Sequence, residues 1–357
     1  MPRKLAGVEA GRGVAATLVV CDHAASLFNG SLKTAPVWNA FSFGHAGVDF
    51  FFVLSGFIIC HVHWNDIGKP EQVGQYFWKR FVRIYPTYWV ALALFVLLFL
   101  FSPEKGRPVS ADSLVSGIFL YPHPGEPILR AGWTLRHELL FYGLFALLIL
   151  NRRIGSGVLL AWASCIAWNI AVTVATGKPY FAGVSGFLFF RIFNIEFFFG
   201  IGVAYVVHHG VSWRPLTALV IGSALFIATG MYESFGPTMP IEWPPRHFGY
   251  AIGAALALYG AVTAENEGRL PVPEILFRIG TCSYSIYLIH MLPVLILGFL
   301  AERLARYVAV PSAVWLVVIV LISVAVGMAF SQTIEQPLLR RLRRGVGRPV
   351  AAVGTPV

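Results

Sequence analysis

Ten apolar stretches, each close to the length of one bilayer crossing, follow one another along the 357 residues, at about 8–28, 43–64, 84–102, 133–150, 156–176, 194–209, 215–231, 247–263, 281–300 and 313–333. A run of about 20 apolar residues crosses the hydrocarbon core as an α-helix, which satisfies its own backbone polar groups without water. The pattern predicts an all-α integral membrane protein with about ten transmembrane helices. Charged residues are only 12% of the chain, against about 25% in a soluble domain. Ten spans with short connections use up the length. We therefore expect one transmembrane domain over residues 1–337 and a basic tail over 338–357. The apolar stretch 111–121 is too short to cross; it lies at the surface or re-enters.

The net charge of +10 comes from basic residues scattered among loop ends and the tail. That distribution points to a cytoplasmic positive bias and contact with membrane lipids, not to nucleic acid. With ten spans and both termini inside, seventeen of the 27 Lys and Arg residues fall on the inner side and nine on the outer. The count favours cytoplasmic termini. The first apolar segment contains Asp22 and His23 and lacks a small-residue cleavage site, so it reads as a retained span. The four cysteines, Cys21, Cys60, Cys165 and Cys282, all lie in apolar segments without metal-type spacing, and read as small core residues.

Ionisable residues inside spans cost about 2.5–3.5 kcal/mol each on insertion scales, so each is a candidate site. The first span holds Arg12 and His23, eleven residues apart. On a helix that spacing leaves the two on one face, separated by roughly 16 Å. Glu9 shares that face, and Asp22 points about a quarter-turn away. In the second span His45 and Asp49 are four apart, and Ser55-Gly56 suits close helix packing. The third is preceded by Arg80 and Arg83, which anchor the cytoplasmic end or clamp a phosphorylated donor. The fourth opens with Arg136, His137 and Glu138, and Glu138 aligns with Tyr142. Counted from the outer side, Glu138 should lie at the depth of His23. The ninth carries Ser283, Tyr287 and His290 as one polar stripe. Glu196 and Glu335 lie near span ends with no assignable role.

These segments together resemble the membrane acyltransferase-3 family. The resemblance rests on Arg12 with His23 beyond it, Gly47-Val48-Asp49-Phe50-Phe51-Phe52-Val53-Leu54-Ser55-Gly56-Phe57, and Arg80 with Arg83-Ile84-Tyr85-Pro86. It rests equally on Trp133-Thr134-Leu135 with Glu138 and Phe141-Tyr142, and on Ser283-Tyr284-Ser285-Ile286-Tyr287-Leu288 with His290. It runs in order from about residue 5 to 340, and is similar to the single-domain bacterial exopolysaccharide and O-antigen acetyltransferases. The pair Glu9-Ala10 departs from the acidic-glycine pair more usual there.

The resemblance implies an O-acyltransferase of the bacterial inner membrane. It would move an acyl group, most commonly acetyl from acetyl-CoA or another acyl-CoA, onto a hydroxyl of a saccharide or lipid-linked glycan. His23 is then the base or acyl relay, Asp49, Glu138 and His290 lie near the reaction centre, and Arg12, Arg80 and Arg83 hold the donor. Glu138 or Asp49 would orient the His23 imidazole, as an acid does in a hydrolase triad. No metal is needed for thioester-to-ester exchange, and no metal-ligand spacing is present. The alternative is a polytopic transporter or flippase, because polar stripes in ten helices also line translocation paths. No inverted repeat and no pair of broken helices is visible to support it.

Overall fold

The computed structural model describes residues 5–31, 39–101, 110–123, 125, 127–237, 243–304, 307 and 310–344. Every regular element among the described residues is helical. In chain order the helices are α1 Ala6–Ser31, α2 Gly47–Val62, α3 Val73–Phe101, α4 Ala111–Phe119 and α5 Gly132–Leu150. There follow α6 Arg152–Thr176, α7 Gly183–Phe190, α8 Glu196–His208, α9 Pro215–Phe235 and α10 Pro244–Asn266. The last are α11 Glu274–Thr281, α12 Ser283–Ile289, α13 Met291–Leu304, α14 Ser312–Phe330 and α15 Gln336–Arg344. The connecting stretches 102–109 and 238–242, and the tail from 345, lie outside the described residues.

Eight helical segments are long and apolar enough to cross a membrane, and the bent pair α12–α13 makes a ninth. The tenth expected span is α1. Its 26 residues give a helix of about 39 Å, and Glu9, Arg12, Asp22 and His23 leave it more polar than the others.

Two spans differ from the uninterrupted helices expected. The segment Gly183–His208 breaks between α7 and α8, where Arg191 is extended (φ −64°, ψ 148°). The pair α12–α13 bends by 49° beside His290. Hydropathy is blind to both, because one residue's dihedral change leaves the apolar average untouched. A third irregularity is the π-turn Ser331–Glu335 joining α14 to α15. The stretch 111–121 is the short helix α4. It is held to α3 through Tyr88, whose hydroxyl donates to the Gly117 carbonyl at 2.8 Å.

Helix ends sort into two sets. At one end the backbone N–H groups of Ala6 and Gly7 donate to the Glu265 carboxylate, each at 2.7 Å. This satisfies orphan donors of the α1 N-terminus and places a negative charge at its positive pole. Trp64 meets His208 there (ring centroids 4.2 Å). At the other end His45 and Arg246 share the Glu233 carboxylate at 2.9 and 2.7 Å. Alternate helix polarity, the essential consequence of repeated crossing, is therefore present.

The centre is packed backbone to backbone. A Cβ on Gly56 would collide with the Phe197 carbonyl, and one on Gly200 with the Val53 carbonyl. Small residues here replace the hydrophobic drive that is absent between helices in lipid. The packing role expected of Gly56 is thus what α2 and α8 display.

Candidate active site

His23 lies in the second half of α1, and the chain break at His290 brings the two rings together. His290 Nε2 is 3.0 Å from His23 Nδ1. The surrounding carbonyls fix the tautomers. His290 Nδ1 lies 2.8 Å from the Tyr287 carbonyl and 3.2 Å from that of Ile286. A carbonyl only accepts, so neutral His290 carries its proton on Nδ1 and accepts on Nε2. His23 Nδ1 therefore carries the proton that points to His290 Nε2 and to the Val19 carbonyl at 3.1 Å. The lone pair of His23 Nε2 is left uncommitted. That is the state a general base or nucleophile requires.

Neither Glu138 nor Asp49 meets His23, contrary to the triad-like expectation. Glu138 accepts hydrogen bonds from Ser55 at 3.1 Å and from the Tyr142 hydroxyl. It lines a cavity of about 720 Å³ together with Arg12, Arg80 and Arg83. The depth counted along the sequence put Glu138 level with His23; the direction of α5 turns its side chain to the basic cavity instead.

That cavity gathers positive charge. Lys79 and Arg343 join the three arginines in its wall, and Glu138 is the one carboxylate among the described lining residues. Arg83 is held by Glu335, its Nη1 lying 2.8 Å from Oε1, and its guanidinium lies 5.0 Å from the Tyr284 ring centroid. Glu335 in turn accepts from Ser285 at 2.6 Å and Ser331 at 2.9 Å, the latter within the π-turn. This carboxylate, unassigned from sequence, is the post that positions Arg83. Arg80 lies over the Tyr142 ring at 5.7 Å, and Arg12 pairs with Glu9 at 3.5 Å. Such aromatic-backed guanidinium groups suit phosphate oxygens.

Tyr287 lines the cavity. It bonds Thr134 at 3.0 Å, and its ring lies 6.0 Å from that of His290. Ser283 and Tyr287 face the basic cavity, whereas His290, beyond the bend, faces His23. The expected single stripe is divided at the break.

Asp49 belongs to a third, fully buried group. His247 Nδ1 lies 3.0 Å from Asp49 Oδ1 and 3.1 Å from Glu196 Oε1. Potential ligand atoms of the three lie within 4.8 Å of one another, so they could hold a metal ion. Arg246 Nη2 stands 3.4 Å from His247 Nε2. A guanidinium only donates, which places the His247 proton on Nδ1, between the two carboxylates. In that state Nδ1 has no lone pair for a metal. The sequence singles out Glu196 without a role and passes over His247, because each sits alone at a span end; only helix packing makes them a cluster. All four cysteines are free.

The family model described as an acyltransferase domain, Acyl_transf_3, matches residues 5–332. The chain is 28% identical over 334 residues to the exopolysaccharide production protein ExoZ of Rhizobium meliloti strain 1021, covering 89% of this chain and 95% of that protein. It is also 29% identical over 156 residues to protein 2 in the picA locus of Rhizobium radiobacter, covering 38% of this chain and 77% of that protein. No solved structure matches significantly.

Proposed function

The chain belongs to the acyltransferase-3 family, and from that premise we propose that it transfers an acetyl group from acetyl-CoA to a hydroxyl of an exopolysaccharide or lipid-linked glycan in the bacterial inner membrane. Membership decides for the transferase over the transporter, even though two spans are broken as transporter helices often are. The exopolysaccharide assignment is carried from ExoZ, which shares almost its full length with this chain.

The observation that carries the mechanism is the free lone pair of His23 Nε2, secured by the hydrogen bond to His290. The acceptor hydroxyl attacks the thioester carbonyl as His23 takes its proton. The tetrahedral intermediate then expels the CoA thiolate, which leaves with that proton, so the products are an ester and free thiol. In the relay alternative His23 Nε2 attacks first and expels the CoA thiolate, forming an acyl-imidazolium; the acceptor hydroxyl then takes the acyl group, its proton going to the thiolate, and His23 returns neutral. In both, His290 Nε2 accepts the hydrogen bond from the imidazolium and keeps Nε2 aimed at the carbonyl. Arg12, Arg80 and Arg83 hold the nucleotide phosphates in the basic cavity, and the roughly 16 Å from Arg12 to His23 suits a pantetheine arm. The excess of Lys and Arg on the Arg12 side supports a cytoplasmic donor and cytoplasmic termini.

The test is transfer of labelled acetyl from acetyl-CoA by the purified full chain, with the glycan product weighed by mass spectrometry. A gain of one acetyl unit that depends on His23 is expected. An unmodified glycan from folded wild-type protein, or undiminished transfer by His23→Ala, overturns the reading.

A further inference from the structure

The basic cavity carries a second tier of cations at its mouth. We propose that Lys79 and Arg343 there bind the ribose 3′-phosphate of coenzyme A, so that α15 helps to select the donor; this deepens, and rests on, the acyltransferase reading above.

Exposure locates the mouth. Among the described lining residues, Val62, Gln75, Trp78, Lys79 and Arg343 are exposed, whereas Arg12, Arg80 and Arg83 are half-buried. Helix length gives the same answer. The 29 residues of α3 extend about 43 Å. The 32 residues of the continuous helical segment Ser312–Arg343 extend about 48 Å. Both exceed the hydrocarbon core of about 30 Å. The polar end of each projects from it, at Gln75–Lys79 in α3 and at Gln336–Arg343 in α15. Both projecting ends contribute to the one cavity.

The cations stand at two depths. Gln75, Lys79 and Arg83 recur every four residues along α3 and share one face. Lys79 is therefore about 6 Å further out along the helix than Arg83. On the facing wall, Glu335 fixes Arg83, and Arg343 follows eight residues later, about 12 Å along the helix. Each wall thus has an inner point at the Arg83–Glu335 pair and a cation beyond it. A diphosphate alone needs only the inner tier. Coenzyme A adds a phosphate set off from the diphosphate by a ribose, and the outer tier matches that separation.

The donors suit the task. Lys79 Nζ donates to the neutral Gln75 Oε1 at 3.1 Å, which steadies the ammonium and spends one of its three protons. The Arg343 guanidinium offers a planar fork to phosphate oxygens. Deeper in the same wall, Arg80 Nε is buried with no hydrogen-bond partner, a donor that a diphosphate oxygen would satisfy. Trp78 stands between the tiers at the mouth, where an aromatic face suits an adenine ring.

The test places the full chain in phosphatidylcholine nanodiscs. Binding of coenzyme A and of 3′-dephospho-coenzyme A is measured by calorimetry without acceptor. Transfer from the two acetyl thioesters, and from acetylated acyl carrier protein, is read as KM and kcat. The 3′-phosphate is expected to tighten binding and lower KM at least about tenfold, with kcat changing far less. Arg343→Gln and Lys79→Gln should each cut that preference at least about threefold, and Arg343→Lys should retain most of it. A ratio between two donors does not change with the folded fraction, so misfolding cannot imitate the result. Equal use of the two coenzymes, a ratio untouched by both substitutions, or preference for the carrier protein overturns the proposal and leaves acyl transfer standing. Binding of neither coenzyme also overturns it. Binding selective for the 3′-phosphate without transfer supports the site and counts instead against the transferase reading.

Discussion

His290 Nε2 lies 3.0 Å from His23 Nδ1, joining two rings 267 residues apart in sequence. The contact sets which nitrogen of His23 is free, and on the proposed mechanism His290 acts as a positioning residue. His23→Ala should abolish transfer. His290→Ala should lower kcat by about 100-fold, because a misoriented tautomer loses most general-base assistance. It should leave the donor KM nearly unchanged. Steady-state kinetics on purified variants of matched thermal stability would check this; a change confined to donor KM would count against the assignment.

The Arg83–Glu335 pair is nearly enclosed, with side-chain exposures of 26% and 2%. Removing one partner strands the other. Allowing for the partial exposure of Arg83, Glu335→Leu should cost about 2–3 kcal/mol, and the double variant with Arg83→Met should recover part of it. Both should raise the donor KM, because Arg83 faces the cavity. Thermal melts in detergent and a donor titration measure the two effects separately.

At the α2–α8 crossing, Gly200 admits no side chain, since a Cβ there would strike the Val53 carbonyl. Gly200→Leu should reduce the yield of monodisperse protein severely, with a cost above about 3 kcal/mol. Gly202, two residues on, has nothing within 4 Å of its Cβ position, so Gly202→Ala should behave as wild type. Fluorescence-detected size exclusion distinguishes the pair.

The Asp49–His247–Glu196 group offers a metal test. With the His247 proton on Nδ1, the hydrogen bonds to Asp49 and Glu196 hold the cluster together. Removal of metal with EDTA should leave the Tm unchanged, and His247→Ala should lower it by several degrees. Stoichiometric metal by mass spectrometry, lost together with stability on chelation, would refute this.

Just beyond α2, His63 is buried with 1% side-chain exposure, and its Nδ1 lies 2.7 Å from Asp66 Oδ2. Burial lowers its proton affinity below the ordinary histidine range, against the opposing pull of Asp66. Its Nε2 has no hydrogen-bond partner to receive a second proton. A depressed folded-state value means that the unfolded chain binds the proton more readily. Stability should therefore fall as the pH drops below about 6.5. His63→Asn should flatten that dependence in Tm measured from pH 7.5 to 5.

The acyltransferase family and the repeated crossing of the membrane were legible because they are written locally. Apolar length decides what enters a bilayer, and Arg12 and His23 ride one helix whose geometry is known without its neighbours. The close-packing role of Gly56 follows from residue size alone. Other relationships depend on which helices become neighbours. Glu138 and His23 were expected at one depth, yet rotation about α5 sends Glu138 to Arg12 and Arg80. Asp49 turns to His247 and Glu196, residues that become its neighbours only through α10 and α8.

The sequence by itself determined that this chain crosses a membrane repeatedly and carries basic and histidine groups within the crossings. Tertiary structure alone decided their partners: Glu335 for Arg83, Asn194 for His137, and His290 for His23. The physical reason is that burial in lipid constrains each helix separately, whereas a hydrogen bond across helices requires a particular rotation, tilt and break in both. The bend beside His290, invisible to hydropathy, is what completes the histidine pair.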